Sequence, residues 1–127
     1  MSREILWRTP GGKRVQIRSR RMAHLAEHGI TLEVCPTSNV RTRSVASLDE
    51  HPLPALVAAG VPITINSDDP PMFSTTLNHE YEVAAGLLGL DDQGVAELGR
   101  ASVRSSFADD ATKATILAEI DAYAATA

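Results

Sequence analysis

Two adjacent carboxylates end an apolar stretch of the chain, in the segment Ser67-Asp68-Asp69-Pro70. Carboxylates bind metal ions and accept substrate protons, so one of the pair is suited to hold a metal while its neighbour contacts a substrate. Neighbouring residues of a regular strand point to opposite faces, but that rule relaxes where the strand breaks at proline, and both side chains are then able to reach one site. The spacing alone is more typical of a pair that caps a loop.

A second pattern with metal-binding spacing is His24-Leu25-Ala26-Glu27-His28. It fits the H-x-x-E-H motif of inverted zinc metalloproteases, in which two histidines one helical turn apart bind zinc and the glutamate acts as a base. That chemistry needs a third ligand, such as Glu97. His28 comes just before Gly29, where a histidine also interacts favourably with the C-terminal end of a helix dipole, and this structural role is the favoured interpretation.

Four other residues carry reactive or polar side chains without a clear partner. No His-Asn or His-Asp pair is spaced to activate Cys35, so we predict a buried thiol and not a nucleophile. His51 is expected at the start of a helix, and His79 at the surface or behind the site. Glu33 is expected either to line the interior of the fold or to pair with Arg41.

Two short strands are predicted to position these groups. Apolar and polar side chains alternate over residues 30–35 and 61–67, and proline ends each run, at Pro36 and at Pro70. A helical stretch from Pro52 to Ala59 separates the strands, which favours a β-α-β unit with parallel pairing, although an antiparallel sheet would show the same alternation. In (β/α)8 barrels the catalytic groups collect at the carboxyl ends of parallel strands.

Helices are predicted before and after the two strands. Residues 21–27 predict an amphipathic helix that stops at Gly29, residues 37–45 predict a loop, and Ser47 with Glu50 resembles a capping box. The chain beyond Pro71 is predicted to be helical: one helix from Leu77 to Gly89, a second capped by Asp91, and a third capped by Asp109 or Asp110.

Five segments resemble the closing third of adenosine deaminases in order and spacing. They are Glu33-Val34-Cys35-Pro36-Thr37-Ser38-Asn39, His51-Pro52, Gly60-Val61-Pro62-Ile63-Thr64-Ile65-Asn66-Ser67-Asp68-Asp69-Pro70, Thr76-Leu77 with Glu80-Tyr81, and Ser105-Ser106-Phe107. The likeness covers residues 22–127. It implies an α/β fold, the C-terminal portion of a (β/α)8 TIM-type barrel, with about two parallel strands and four to five helices, incomplete as a barrel.

The resemblance also implies a reaction and roles for the two aspartates. Asp68 resembles the family's zinc ligand, and Asp69 resembles the catalytic residue that contacts the purine ring and orients the attacking water. The family reaction is hydrolytic deamination of adenosine to inosine and ammonia, in which zinc lowers the pKa of its bound water. The implied partner is a purine nucleoside, and adenosine is not distinguished from adenine or other 6-amino purines.

Other parts of the family pattern have no counterpart in the sequence. The His-x-His, His-Ala-Gly-Glu and Gly-His-Gly stretches, which supply the remaining zinc ligands and catalytic groups, do not occur. We therefore expect residues 1–21 to be a basic leader of uncertain origin and residues 22–127 to be an inactive C-terminal fragment. Its open barrel edges predict poor stability or self-association. The alternative is a non-catalytic interaction remnant that binds no metal.

Length and composition agree with a partial barrel. The chain has 127 residues, and a complete (β/α)8 barrel needs roughly 250. The formal net charge is −4, yet the leader carries seven Lys/Arg and one acidic residue. The leader lacks the pattern of a nucleic-acid arm, so no nucleic-acid partner is expected. A single cysteine, no apolar run of membrane-spanning length and no signal-peptide core favour a cytoplasmic protein without a membrane partner.

Overall fold

The computed structural model describes residues 5–8, 14–17 and 19–126. These residues form strands, α-helices and one short 3-10 helix, Leu48–Glu50. In chain order the strands and α-helices are β1 (Ile5–Arg8), β2 (Arg14–Ile17), α1 (Ser19–Glu27), β3 (Leu32–Val34), α2 (Pro36–Arg41), α3 (Leu53–Ala58), β4 (Ile63–Ile65), α4 (Pro70–Phe73), α5 (Leu77–Leu88), α6 (Asp92–Ser105) and α7 (Asp110–Ala124).

Strands β3 and β4 pair in parallel, with Leu32 opposite Ile63 and Val34 opposite Ile65. Helices α2 and α3 lie between them along the chain, so the predicted β-α-β unit is confirmed and the antiparallel alternative is wrong. Within the described residues β3 and β4 form a two-stranded sheet. Both outer edges of this sheet are therefore open in that part of the chain, as expected for a portion of a barrel.

A hydrophobic core fills the space between this sheet and the helices α1, α3, α5 and α6. Its buried members are Met22, Val34, Leu53, Ala55, Val61, Ile63, Ile65, Ala84 and Leu98. Because side chains alternate along a strand, the apolar strand residues that face this core leave Glu33 and Thr64 on the opposite face, where they are register partners. In a closed barrel that opposite face points inward.

Both prolines that were predicted to end a strand also begin a helix. Pro36 is the first residue of α2, so the loop predicted over residues 37–45 is wrong as far as Arg41. Pro70 likewise begins α4. Proline suits the first helical position because its φ is already helical and its missing N–H would have had no partner there. The described residues consequently contain seven α-helices, where four to five were expected.

The capping residues predicted for the last helices are confirmed. Asp91 and Asp109 each accept the backbone N–H three residues further on, at 2.9 and 2.7 Å. These bonds satisfy donors that have no partner inside the first turn of a helix. Gly89 ends α5 with φ 64°, a conformation that favours glycine. Ser47 makes no side-chain capping bond, so its capping box is not formed as predicted.

The predicted basic leader is only partly described. Arg3, Lys13 and Arg18 lie outside the described residues. The backbones of β1 and β2 pair in an antiparallel ladder, with Ile5 opposite Ile17. Among the described residues no helix has both the length and the apolar character needed to cross a bilayer.

Candidate functional site

Asp68 lies just beyond β4, and its carboxylate is hydrogen-bonded to a residue that follows β3. The Ser38 hydroxyl donates to Asp68 Oδ2 at 2.7 Å, across 30 positions of sequence. The Asp68 backbone is left-handed, with φ 57°, a region that non-glycine residues adopt rarely and that aspartate tolerates better than most. This turn breaks the alternation of the strand and brings the carboxylate to the carboxyl end of the neighbouring strand β3.

Asp69 has a different partner from its neighbour. Its Oδ1 accepts the Met72 N–H at 3.0 Å, so the side chain caps the N-terminus of α4. This is the loop-capping role that the spacing alone favours, and it occupies one of the two carboxylate oxygens in the structure. Both aspartates are exposed at the end of β4.

Glu80 joins the segments that follow the two strands. This carboxylate on α5 is 0% exposed. Its Oε2 accepts the Thr37 N–H in the first turn of α2 at 3.0 Å, and its Oε1 accepts the Thr75 hydroxyl just before α5 at 2.6 Å. Thr75 in turn donates its N–H to the carbonyl oxygen of Pro70, at the start of α4, at 3.1 Å. One buried side chain therefore connects α2, the α4–α5 connection and α5.

His51 makes a second side-chain contact with α2, through Asn39. Its Nδ1 accepts the Leu53 N–H at 3.0 Å, which leaves the hydrogen on Nε2, 3.0 Å from Asn39 Oδ1. Burial lowers the pKa of His51, and the nearby negative charge of Glu80 opposes that shift. The predicted position at the start of a helix is confirmed, because His51 pairs with the first N–H of α3.

We refer to Ser38, His51, Asp68 and Glu80 as the strand-end cluster.

Ser38 and Glu80 were missed as site residues, although both lie in segments quoted for the family resemblance. The sequence feature that could have identified them is the order of those segments along the chain. Nothing in the local sequence connects them to Asp68, because a serine after proline and a glutamate on a helix are usually solvent-facing. Their roles come from contacts that span 30 and 43 positions.

Cys35 and His79 behave as structural residues. Cys35 is partly buried between the two strand ends. Burial raises the pKa of its thiol, and the charges of Asp68 and Glu80 raise it further, which disfavours the thiolate that a nucleophile needs. His79 is exposed, and its backbone N–H is bonded to Thr76 in the N-terminal cap of α5. It therefore occupies the surface position that was one of its two expected locations.

A polar cleft of about 590 Å³ opens on the sheet face opposite the core. Glu33, Thr64 and Asn66 line it from the strands, and Ser102 and Ser105 line it from α6. The Asn66 amide donates to Thr64 Oγ1 at 2.9 Å, which fixes its orientation. Glu33 was expected either to line the interior of the fold or to pair with Arg41, and the structure shows the first of these positions. Its carboxylate and the neighbouring amide can form hydrogen bonds to a polar ligand.

At the strand ends, one side chain, that of Asp68, is suited to be a ligand of a metal ion. Asp68 presents a carboxylate whose Oδ2 is oriented by a hydroxyl, the outer-shell hydrogen bond that commonly holds a metal ligand in place. Among the described residues no group of three or more His, Cys, Asp or Glu side chains is placed to hold a metal. A complete zinc site takes three or four protein ligands, so this part of the chain provides for one.

The H-x-x-E-H residues are engaged in other contacts. His28 Nδ1 lies 2.9 Å from the His24 carbonyl oxygen, and the two rings are in contact, with centroids 4.1 Å apart and planes tilted by 35°. Glu97, the third ligand that a protease would need, is bonded on α6 to Arg104 at 2.5 Å and to Arg100 at 3.4 Å. Since the described residues hold no three-ligand group, His24, His28 and Glu97 do not form one.

The chain matches a protein-family model described as adenosine deaminase over residues 8–123. It is 64% identical over 104 residues to an aminodeoxyfutalosine deaminase of Streptomyces avermitilis, covering 82% of this chain and 29% of that protein. It is 43% identical over 100 residues to an adenine deaminase of Mesorhizobium japonicum, covering 79% and 31%. The chain thus spans less than a third of the length of these relatives.

Solved structures give the same picture of the fold. An Arabidopsis protein, ADAL, determined in complex with IMP, superposes with a TM-score of 0.80 at 31% identity, covering 87% of this chain and 33% of that one. A zinc-bound amidohydrolase from Burkhoderia ambifaria superposes with a TM-score of 0.72 at 23% identity, covering 84% and 30%. The second likeness concerns the fold alone, and both place this chain within a larger barrel.

Proposed function

The chain belongs to the adenosine deaminase family, and from that membership we propose that it supplies the metal-binding and purine-contacting strand end of a (β/α)8-barrel deaminase. Asp68 is the metal ligand of this proposal, and Asp69 is the catalytic residue that contacts the purine. The observation that carries it is the Ser38–Asp68 hydrogen bond at the carboxyl ends of two parallel strands. Catalytic groups of barrel enzymes occupy this end.

The proposed reaction is hydrolytic removal of an amino group from a purine. Zinc, when bound, supplies a water molecule of lowered pKa. Asp68 contributes one carboxylate to the ion, held in direction by Ser38. Asp69 has a second carboxylate oxygen besides the one that caps α4, and that oxygen accepts a hydrogen bond from the purine or from the attacking water. The different partners of the two side chains support this division of roles.

For the substrate we propose aminodeoxyfutalosine in preference to adenosine. A relative named for that compound is 64% identical over 104 residues, against 43% over 100 for an adenine deaminase. Adenosine, which would give inosine, and adenine are the alternatives. All three possibilities are 6-amino purine chemistry, so Asp68 and Asp69 keep the same roles in each. The polar cleft beside Glu33 and Asn66 is a candidate place for substrate contacts on the sheet face.

The 127-residue chain by itself is proposed to have no turnover. One carboxylate ligand does not make a catalytic zinc sphere, and the described residues hold no larger ligand group. A non-catalytic interaction remnant is the alternative function, and the open edges of β3 and β4 favour association with a second copy. The boundary at Met22, the cytoplasmic location and the lack of a nucleic-acid partner stay predictions.

The test of the proposed function restores a complete barrel. Residues 22–127 replace the matching segment of the Streptomyces avermitilis relative, and ammonia release is measured with aminodeoxyfutalosine, adenosine and adenine. We expect turnover with stoichiometric zinc and the highest kcat/KM for aminodeoxyfutalosine. A folded chimera that binds zinc but deaminates none of the three would contradict the proposal, and preference for adenosine or adenine would change only the substrate.

The unmodified chain provides the matching control. We expect zinc at trace level and ammonia release at the background rate, and size-exclusion chromatography that shows an oligomer or aggregate. Stoichiometric zinc with turnover would show that this chain is an enzyme on its own. A sharp, concentration-independent unfolding transition of a monomer would contradict the self-association.

A further inference from the structure

Helix α2 lacks a side-chain cap of its own. Its N-cap residue, Cys35, makes no capping hydrogen bond. The N–H of Thr37, two positions on, is instead satisfied by Glu80 Oε2, a carboxylate 43 positions away on α5. A carboxylate at this point also interacts favourably with the positive end of the helix. Glu80 therefore does for α2 what Asp91 does locally for α6, but through a tertiary contact.

The helix that Glu80 caps carries the residue that contacts Asp68. Ser38 follows Thr37 directly and donates its hydroxyl to Asp68 Oδ2 at 2.7 Å. A hydrogen bond of this kind is sensitive to small displacements of its donor, because it weakens steeply as the distance and angle depart from the optimum. The orientation of the Asp68 carboxylate therefore depends on the position of Glu80, through the first turn of α2.

Glu80 has no exposed surface, so its carboxyl group is completely removed from water. Burial of a polar side chain costs free energy unless its hydrogen bonds are satisfied, and a nonpolar side chain of similar size fills space without that penalty. Both Glu80 oxygens are used, by the Thr37 N–H and by the Thr75 hydroxyl. Glu80 therefore joins the segment after β3 to the segment after β4.

We propose that Glu80 is a positioning residue for Asp68, acting through Thr37 and Ser38. Its importance for metal binding rests on the proposed function of Asp68, whereas the positioning itself is a property of this chain. The contact path is Glu80 to the Thr37 N–H, along one residue of backbone to the Ser38 hydroxyl, and from there to Asp68. Loss of the first contact is expected to change the last.

The direct test measures the Asp68 side-chain carboxyl carbon by NMR at pH 7, in the soluble fraction of the 127-residue chain isolated by size-exclusion chromatography. Ser38→Ala removes the hydrogen bond to Asp68 and gives the full chemical-shift change. Glu80→Met, which keeps the side-chain length without an acceptor, should shift the same signal in the same direction. It should also speed hydrogen exchange at the Thr37 amide about 10-fold or more, since that N–H loses its acceptor.

The double variant separates positioning from general loosening. In the Ser38→Ala background, Glu80→Met should add no further change to the Asp68 signal, because the Ser38 hydroxyl that connects Glu80 to Asp68 is absent. Glu80→Gln should restore the wild-type signal, since its amide oxygen accepts from Thr37 and its NH2 donates to Thr75, whose hydroxyl also has the Thr76 carbonyl oxygen at 3.4 Å. The matched control is Glu82→Met, an exposed position on the same helix, and it should change neither signal.

An unchanged Asp68 signal in Glu80→Met, with faster exchange at Thr37, would overturn the proposal and reduce Glu80 to a helix cap. A further shift in the double variant would overturn it too. Should Glu80→Met fail to fold, Glu80→Asp replaces it, because a side chain one methylene shorter does not reach both donors. It keeps the charge, and it should give the same shift.

The same variant in the restored barrel tests the consequence for the metal. Glu80→Met should weaken zinc affinity about 10- to 100-fold, the usual effect of removing support from behind a ligand. Visible spectra of the cobalt-substituted chimera should change with it and return in Glu80→Gln. If the NMR coupling holds while affinity and spectrum stay at wild-type values, positioning stands and the role of Asp68 as a metal ligand fails.

Discussion

The strand-end cluster and the α6–α7 pair use similar side chains for different purposes. In the cluster, Glu80 and His51 are almost fully buried, and their bonds join residues 43 and 12 positions apart. Between α6 and α7, Arg100 bonds the exposed Asp121 at 2.8 Å, while Arg104 and Glu97 pair within α6, both about half exposed. Buried polar bonds fix geometry because water does not replace them, whereas exposed ion pairs are exchanged for water with little loss.

The function that we propose depends on the first region. Each polar bond of the cluster determines the position of a loop that follows a strand, and Asp68 and Asp69 lie in one of those loops. The caps and ion pairs of α6 and α7 stabilise two helices that pack on each other, of which α6 also packs against β4. Substitutions should therefore have large, specific effects in the first region and small effects in the second.

The largest expected effect is at the aspartate pair in the restored barrel. Asp68→Ala should lose both zinc and turnover, because it removes a ligand. Asp69→Ala should keep zinc and lose turnover about 10²-fold or more, because it removes a hydrogen bond that strengthens in the transition state. Zinc per chain and ammonia release measure both. If Asp69→Ala emptied the site while Asp68→Ala kept zinc, the two roles would be reversed.

The next effect concerns stability beneath the cluster. Leu53, at 0% exposure, is the first residue of α3 and packs in the core below His51. Leu53→Ala should lower the free energy of unfolding by about 2–5 kcal/mol, through lost burial and the cavity that remains. Ile116→Ala on α7, where the wild-type residue is 38% exposed, is the matched control and should lose less than half as much. Urea denaturation checks both, and equal losses would erase the contrast between the regions.

His51 predicts a dependence of stability on pH. Its pKa is lowered in the folded state by burial, so the unfolded chain binds a proton more readily. The stabilisation is fully present above the ordinary value of about 6.5 and is lost as the pH falls below it toward the folded-state pKa. Unfolding measured from pH 7.5 to pH 5 should show this loss. His51→Gln should reduce the slope, whereas His79→Gln, which leaves His51 in place, should retain it.

The smallest effects are expected in α6 and α7. Asp91→Ala removes the N-cap of α6 and should lower the free energy of unfolding by about 1 kcal/mol. Arg100→Gln breaks an ion pair with the exposed Asp121 and should cause a smaller change. Thermal unfolding with matched buffers compares the two. A larger loss for Arg100→Gln than for Asp91→Ala would mean that the surface network contributes more than its exposure indicates.

Local patterns in the sequence determined the two paired strands and the longer helices that follow them. Alternation over residues 30–35 and 61–67 identified β3 and β4, and the capping preferences of Asp91, Asp109 and Gly89 identified helix ends, because each signal acts within a few residues. The order of five segments indicated the family and the aspartate pair. Pro36 and Pro70 follow the strands as predicted, but the helix that begins at Pro36 was missed, because proline ends a strand and begins a helix by the same local geometry.

Only the tertiary structure decided which polar side chains support Asp68. Ser38 and Glu80 reach the site across 30 and 43 positions, through a helix that the sequence did not predict. The left-handed backbone of Asp68 and the capping bond of Asp69 likewise depend on how β4 meets α4. A residue's burial and hydrogen-bond partners are set by packing between distant segments, and no local spacing specifies them.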